Sequence, residues 1–236
     1  PRHDPAGFSL PSLATIRMSV VRVLAAAVPL VTGFGAVASA QSAVVDEATL
    51  IVTRNGAPIG RESFTIIRAP GPGGQVFRAV GIRGLGEESM SSILATDSSG
   101  APVSYEFRLT RGGEVLQHVQ GRGRPDRFSV LVQTKTGEAA REYVLKPGAV
   151  LLDDDVFHQF FFVARAAVGS EVTIISPRTA RQERLRLAEL GNEPIEVRGQ
   201  RLSARHLAMI DSSGMRRDLW LDSLGRILKV SIPDKS

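Results

Sequence analysis

The chain has 236 residues, no cysteine and a formal net charge of +5. Without cysteine, neither a disulfide partner nor a lipidated cysteine is available, so the fold must rely on its hydrophobic core. The cations are nearly all arginines, dispersed along the chain. This dispersed charge makes nucleic acid a poor partner and is compatible with peripheral contact to anionic lipid.

The N-terminal part has the pattern of a secretory signal peptide. A basic region from Arg17 to Arg22 precedes the almost wholly apolar stretch Val23–Val37, and Ala38-Ser39-Ala40 is a small-x-small cleavage signal. The alternative is an uncleaved anchor, but the apolar stretch is too short for a good membrane span. We expect residues 1–17 to be a non-native upstream extension, residues 18–40 the signal peptide, and residues 41–236 a single exported domain, periplasmic or secreted.

Strand patterns dominate the chain after this leader. Asn55-Gly56 lies between the apolar runs Ala48–Arg54 and Ile59–Arg68 and is a strong hairpin signal. In Pro102–Thr110 apolar and polar residues alternate cleanly, as in a half-buried antiparallel strand. Further strands are predicted at Gln75–Arg83, Glu88–Thr96, Glu114–Gly121, around Phe128–Val132 and at Ala139–Lys146.

One main helix is predicted over Leu151–Ser170. Asp153, Asp154 or Asp155 could cap its first amides, and Gly169 follows where the helix should stop. Apolar residues recur at helical spacing: Val156, Phe157, Phe160, Phe161 and Ala164. Such a short apolar helix must be covered on most sides, and a curved sheet wrapped around it is the simplest cover.

The chain after the helix again reads as strands. They are predicted at Val172–Ser176, Gln182–Glu189, Pro194–Gln200, Leu202–Ile210, Met215–Leu221 and Ile227–Ile232. About a dozen strands and one main helix result. The predicted fold class is therefore mainly β, an antiparallel curved sheet or half-barrel enclosing one main helix.

Three stretches carry a resemblance to known families. Ala95–Phe107, the Leu152–Asp155 segment with its helix, and the ending Asp218–Pro233 resemble uncharacterised exported bacterial families. Those families resemble the half-barrel of the outer-membrane lipoprotein carriers, a long antiparallel sheet curled around a helix. The resemblance implies this fold and suggests a lipid-carrying role, but it transfers no carrier-specific residue.

Two groups of Asp and His residues could indicate a catalytic or a metal-binding site. The paired motifs of aspartic proteases are similar to two stretches of this chain, Asp97-Ser-Ser-Gly and Asp211-Ser-Ser-Gly, but both stretches contain an extra Ser. A third stretch, Asp222-Ser-Leu-Gly, shows the same pattern, so we favour turns for all three. His158 lies near three aspartates, yet a zinc site needs more His or Cys, so a helix cap with a half-exposed His is favoured. No Gly-x-Ser-x-Gly elbow groups a nucleophile with a base. We expect no catalytic residue, no metal and no cofactor.

Candidate ligand-binding residues are aromatic. Phe157, Phe160 and Phe161 would be core in an ordinary fold, and they would line a ligand cavity if the sheet is incompletely closed. The turn Asp222–Gly225 predicts the strand register at Trp220. A type I turn with a left-handed Gly225 would place Leu221 opposite Ile227. Continuing that register pairs Trp220 with Leu228 and predicts a buried Trp220 in the inner layer with the helix.

The densest basic run offers a possible partner surface. It comprises Arg178, Arg181, Arg184 and Arg186. A solvated strand face is the favoured interpretation, and a rim that meets anionic lipid is the alternative.

These features favour an exported, non-catalytic protein that binds an apolar or amphipathic ligand such as a lipid or lipoprotein. A structural or assembly module of the cell envelope without a ligand is the alternative. A hydrolase whose site the sequence does not reveal is the third interpretation.

Expression in a bacterium with the leader is expected to yield a protein that begins at Gln41, because the small-x-small signal ends at Ala40. N-terminal sequencing or intact-mass analysis checks this. Recovery of the intact leader in the membrane pellet would instead identify an uncleaved anchor.

Overall fold

The computed structural model describes residues 42–71, 73–197 and 199–232. The predicted upstream extension, the signal peptide and the cleavage site before Gln41 lie outside the described residues. Within the described ranges, no helix is long and apolar enough to cross a membrane.

Two β-sheets make up most of the described chain. The first is an eight-stranded antiparallel meander in which each strand pairs with the next. Its strands are β1 (Ala43–Arg54), β2 (Ala57–Gly71), β3 (Gly74–Leu85), β4 (Glu88–Asp97), β5 (Pro102–Arg111), β6 (Glu114–Gly123), β7 (Arg127–Thr134) and β8 (Gly137–Val144).

The second sheet has six strands in the order β14-β13-β12-β11-β10-β9. They are β9 (Val150–Leu151), β10 (Glu171–Ser176), β11 (Arg181–Val197), β12 (Gln200–Asp211), β13 (Arg216–Leu221) and β14 (Ile227–Ser231). Only the short β9 pairs in parallel, with β10, because the chain between these two strands crosses the interior. The strands predicted separately at Gln182–Glu189 and Pro194–Gln200 fall largely in the single strand β11, which bulges between Glu189 and Gly191.

The predicted fold class is confirmed: the described part of the chain is mainly β, with a curled half-barrel sheet and one short α-helix. Alternating residues of the strands point inward, as period-two burial along β4 shows. Both sheets contribute to one hydrophobic core, which includes Phe107 and Phe128 from the first sheet and Leu187 and Leu207 from the second.

Local turn chemistry fixes the hairpins. Asn55 and Gly56 have φ values of 50° and 79°, and Arg54 pairs with Ala57, so this loop is the two-residue hairpin predicted from Asn-Gly. Asp97 accepts hydrogen bonds from the amides of Ser99 and Ala101 at 2.8 and 3.0 Å.

The same carboxylate geometry recurs in the other two Asp-x-x-Gly turns. Asp211 accepts from the amides of Ser213 and Met215, and Asp222 accepts from the amides of Leu224 and Arg226. These aspartates are hairpin turn residues, as expected.

The helix predicted over Leu151–Ser170 is wrong in its length. Only α1 (Phe160–Val163) is α-helical, and it is preceded by a 3₁₀ turn at Phe157–Gln159. The chain from Leu152 to Val156 is irregular, and Asp155 has a left-handed backbone with φ 64°. The aspartates do not cap the helical turns. Most of the apolar residues are buried, and Phe157 is partly buried, so an irregular segment threaded through the core satisfies the same spacing as a long helix.

The prediction for Trp220 is correct in burial and wrong in orientation. Leu221 pairs with Ile227 as predicted, but a bulge follows, so Trp220 pairs with Lys229 instead of Leu228. The one-residue shift moves the indole to the outer face, where it stacks on the imidazole of His206 at 4.4 Å.

Replacing Phe161 by Ala should lower the free energy of unfolding by about 3–5 kcal/mol, because the ring is fully buried and a cavity would remain. Phe157→Ala is the matched control and should cost less, since that ring is only partly buried. Denaturant unfolding followed by circular dichroism measures both. Equal stability of Phe161→Ala and the parent would contradict the packing of α1.

Candidate functional site

The segment Leu152–Ala164, here called the plug segment, crosses the interior of the half-barrel and contacts polar side chains on its inner face. Those side chains come from neighbouring strands in register. Phe64 of β2 pairs with Gly81 of β3, which pairs with Ser92 of β4. One step along the same face, Glu62 pairs with Arg83. The polar side chains of Glu62, Arg83 and Ser92 therefore lie on the same inner face, beside Phe64 and Gly81.

Glu62 anchors the plug segment. Its Oε2 accepts a hydrogen bond from the Phe157 amide at 3.0 Å, and its Oε1 accepts one from the His158 amide at 2.6 Å. The same Oε1 lies 2.9 Å from Nδ1 of His158. Glu62 thus provides the cap that the sequence assigned to the aspartates, from a strand far away in the chain.

His158 is completely buried, so its expected half-exposure is wrong. Its Nε2 lies 3.4 Å from Oγ of Ser92. The ring stacks on Phe64 and lies against Gly81, where a Cβ atom would come within 2.4 Å of it. Glycine at position 81 is therefore required by the position of the ring.

The hydrogen-bonded chain from Ser92 through His158 to Glu62 has the arrangement of a nucleophile, a base and a group that orients the base. No pattern in the sequence indicates that these residues meet. All three side chains are buried, and Ser92 lies in a regular strand. A substrate therefore has no path to the hydroxyl in this conformation, and the arrangement fixes the plug segment to the sheet.

Arg83 is a buried cation beside this anchor. Its guanidinium lies 5.6 Å from the centre of the Phe157 ring. NH1 is 3.8 Å from a carboxylate oxygen of Asp155, and Nε has no hydrogen-bond partner. Burial lowers the pKa of Arg83 below its usual value, and the neighbouring carboxylates partly offset that effect.

A second polar cluster holds the start of the plug segment. Asp153 accepts a hydrogen bond from the Tyr105 hydroxyl at 2.9 Å and from the Arg178 amide at 3.1 Å. The Asp153 amide donates to the side-chain oxygen of Gln159 at 2.7 Å. Burial raises the pKa of Asp153 to about 7, against the opposing effect of Arg178. Burial also raises the pKa of Tyr105.

The basic run beginning at Arg178 divides into two parts. Arg178 packs over the Phe107 ring and donates to the carbonyl of Asp154, while Arg181 binds the Asp154 carboxylate. These two side chains bind the plug segment near its start. Arg184 and Arg186 are exposed and alternate with buried leucines, as the predicted solvated strand face requires.

The structure brings together three of the four predicted ligand-binding residues. Phe157, Phe160 and Phe161 all lie on the plug segment within the core. Trp220 does not join them because it lies on the outer face of the second sheet. In the part of the chain that the structure describes, no three His, Asp or Glu side chains are grouped to hold a metal ion.

The sequence interpretation missed Glu62, Arg83 and Ser92. Each occupies an inward position of a strand whose other inward residues are apolar or small, such as Phe64 beside Glu62 and Leu94 beside Ser92. A polar residue on an otherwise apolar alternating face was the available signal. The partners of these residues on the plug segment could not be read from that signal.

Two open grooves lie on the outer surface of the first sheet. One crosses β6–β8 beside Arg122 and Glu142, and the other crosses β1–β3 beside Thr49 and Ile82. Neither is lined by a residue of the plug segment.

No family model and no curated protein matches the chain. The solved structure of a DUF1089 family protein from Pseudomonas aeruginosa is similar over 87% of this chain and 96% of that chain, at 16% sequence identity and a TM-score of 0.35. A likeness at this level carries no argument about fold or function.

The raised pKa of Asp153 predicts a dependence of stability on pH. Between the ordinary value of 3.8 and about 7, the folded state retains a proton that the unfolded state has lost. The contribution of Asp153 is therefore greatest below pH 3.8 and falls as the pH rises towards about 7. A shift of this size corresponds to about 4 kcal/mol.

Asp153→Asn should remove this slope, because an amide does not titrate in this range. Chemical denaturation of the parent and the variant at several pH values measures the difference, and the exposed Asp126→Asn serves as control. A constant difference in the free energy of unfolding across the range would show that Asp153 is ionised in both states.

Proposed function

We propose that the protein is exported to the periplasm and binds an apolar or amphipathic ligand, such as a lipid or lipoprotein, without catalysing a reaction. The observation that carries this proposal is a curled sheet around an aromatic plug segment, with Arg83 and Glu62 at one side of it. An aromatic interior with a few convergent polar groups is typical of ligand-binding sites.

The plug segment is the element that a ligand would displace. It contains one turn of α-helix, one 3₁₀ turn and an irregular stretch, and its internal backbone hydrogen bonds join residues three or four positions apart, so they do not fix it to the sheets. Its position depends instead on side chains of the sheet, mainly Glu62 and Tyr105. Elements held in this way open at a lower free energy than paired strands do. Movement of the plug segment would expose Phe157, Phe160 and Phe161 to an acyl chain.

The resemblance to outer-membrane lipoprotein carriers and the predicted signal peptide support the same proposal. Export places the protein where lipids and lipoproteins move between membranes. The ligand-contacting residues are then the phenylalanines of the plug segment, and Trp220 is not among them, because its ring lies on the opposite side of the second sheet.

An envelope assembly module without a ligand is the second candidate. It is favoured by the packing of Phe160, Phe161 and Phe162, whose side chains are all buried. The rings of Phe161 and Phe162 make edge-on contacts with each other and with Phe77. In that case the plug segment is a permanent core and the outer faces carry the function. The buried Ser92–His158–Glu62 arrangement is the feature that a hydrolase would use.

Protein purified from the periplasm without detergent should retain lipid in near-stoichiometric amount, detectable by native mass spectrometry and by extraction. Phe157→Ser should lose that lipid, because this partly buried ring lies where a ligand would first meet the interior. Trp220→Phe is the control on the outer face and should retain it.

Lipid-free protein with a fully packed interior would contradict the proposal and favour the assembly module. Labelling by a fluorophosphonate probe that Ser92→Ala abolishes would favour the hydrolase instead.

A further inference from the structure

Arg83 carries a buried charge that the described residues satisfy incompletely. Only 6% of its side chain is exposed, and its one ion pair, with Asp155, has an N–O distance of 3.8 Å, which is too long for a hydrogen bond. Its Nε has no partner. Buried guanidinium groups are ordinarily paired and hydrogen-bonded, because an unpaired buried charge is costly.

The nearest buried carboxylate cannot fully satisfy this charge. Glu62 lies opposite Arg83 in the ladder, and its attraction favours the cation. Both of its oxygens, however, accept hydrogen bonds from the Phe157 and His158 amides, and one of them also contacts the His158 ring. The hydrogen-bonding capacity of Glu62 is directed to the plug segment.

Asp155 is a weak and replaceable partner. Its side chain is 58% exposed, and its backbone has the left-handed φ of 64°, which is unfavourable for most residues. It lies in the irregular part of the plug segment, between the anchors at Asp153 and Phe157. A small movement of this loop would remove its carboxylate from the guanidinium.

We propose that the ligand is an anionic amphiphile whose carboxylate or phosphate head group binds Arg83 in place of Asp155. This inference rests on the proposed function. The planar guanidinium can donate two parallel hydrogen bonds to either head group, which the long contact with Asp155 does not achieve. Phe157 lies beside the guanidinium and offers an apolar surface to the first part of the tail.

Arg178, a partly buried arginine that also contacts the plug segment, does not compete for this role. Its Nε donates to Gln117 at 3.1 Å, its NH1 donates to the Asp154 carbonyl at 2.7 Å, and its guanidinium packs on the Phe107 ring. Its hydrogen bonds serve the attachment of the plug segment. Arg83 is therefore the side chain that selects the charge of the ligand.

Calorimetric titration of the delipidated protein with decanoate, decyl phosphate and decanol tests this inference. The two anions are expected to bind about tenfold or more tightly than decanol, as charge-assisted hydrogen bonds to a buried cation require. Arg83→Met should remove that preference and leave decanol binding unchanged. Asp155→Asn should strengthen binding of the anions, because the competing carboxylate is gone.

Arg78→Met is the matched control, since Arg78 lies on the same strand and its side chain is exposed. Thermal unfolding confirms that each variant is folded, and Asp155→Asn tests the same contact without altering the cation. Binding of decanoate alone would identify free fatty acids, whereas binding of decyl phosphate as well would identify phospholipid-type head groups.

Equal binding of decanol and the anions, or an unchanged preference in Arg83→Met, would overturn the assignment of Arg83 while an apolar ligand site remains. Failure of all three probes, together with lipid-free native protein, would overturn the proposed function as well.

Discussion

The carboxylate of Glu62 holds the plug segment to the wall of the half-barrel. It accepts hydrogen bonds from the amides of Phe157 and His158 and a contact from the His158 ring, so it fixes the start of the helical turns. Because α1 follows directly, the same anchor sets where Phe160 and Phe161 enter the core. Glu62 on β2 is therefore one of the side chains that set how the plug segment packs between the two sheets.

This arrangement combines two requirements that ordinarily conflict. The interior is apolar and aromatic, yet it contains Glu62, Arg83, Asp153 and His158. Buried polar groups are tolerated when they are hydrogen-bonded, and Glu62 and Asp153 meet this condition through amides of the chain. Arg83 meets it only in part, because its Nε lacks a partner. The incomplete satisfaction of Arg83 is what distinguishes this side of the interior from a purely structural core.

The anchors differ in how they respond to their surroundings. Asp153 has a pKa near the neutral range because of burial, so its hydrogen bonds with Tyr105 and Arg178 depend on pH. The loop at Asp155 has an unfavourable backbone conformation and an exposed carboxylate. Asp155, whose carboxylate is 3.8 Å from Arg83, is therefore attached more weakly than Asp154, which binds Arg178 and Arg181. The strands that surround the plug segment are paired along most of their length and form the rigid frame.

Local chemistry in the sequence determined the sheet. Asn55-Gly56 and the three Asp-x-x-Gly turns specify hairpins through backbone conformations and hydrogen bonds within a few residues, and alternation identified most strands. Burial of Phe160 and Phe161 also followed from composition. The tertiary structure alone decided the length of the helix, because an apolar segment enclosed on all sides shows helical spacing whether or not it is helical. It also decided the site, since Glu62 meets His158, which lies 96 positions further along the chain. It decided the face of Trp220 as well, since one bulged residue reverses which side of the sheet a side chain occupies.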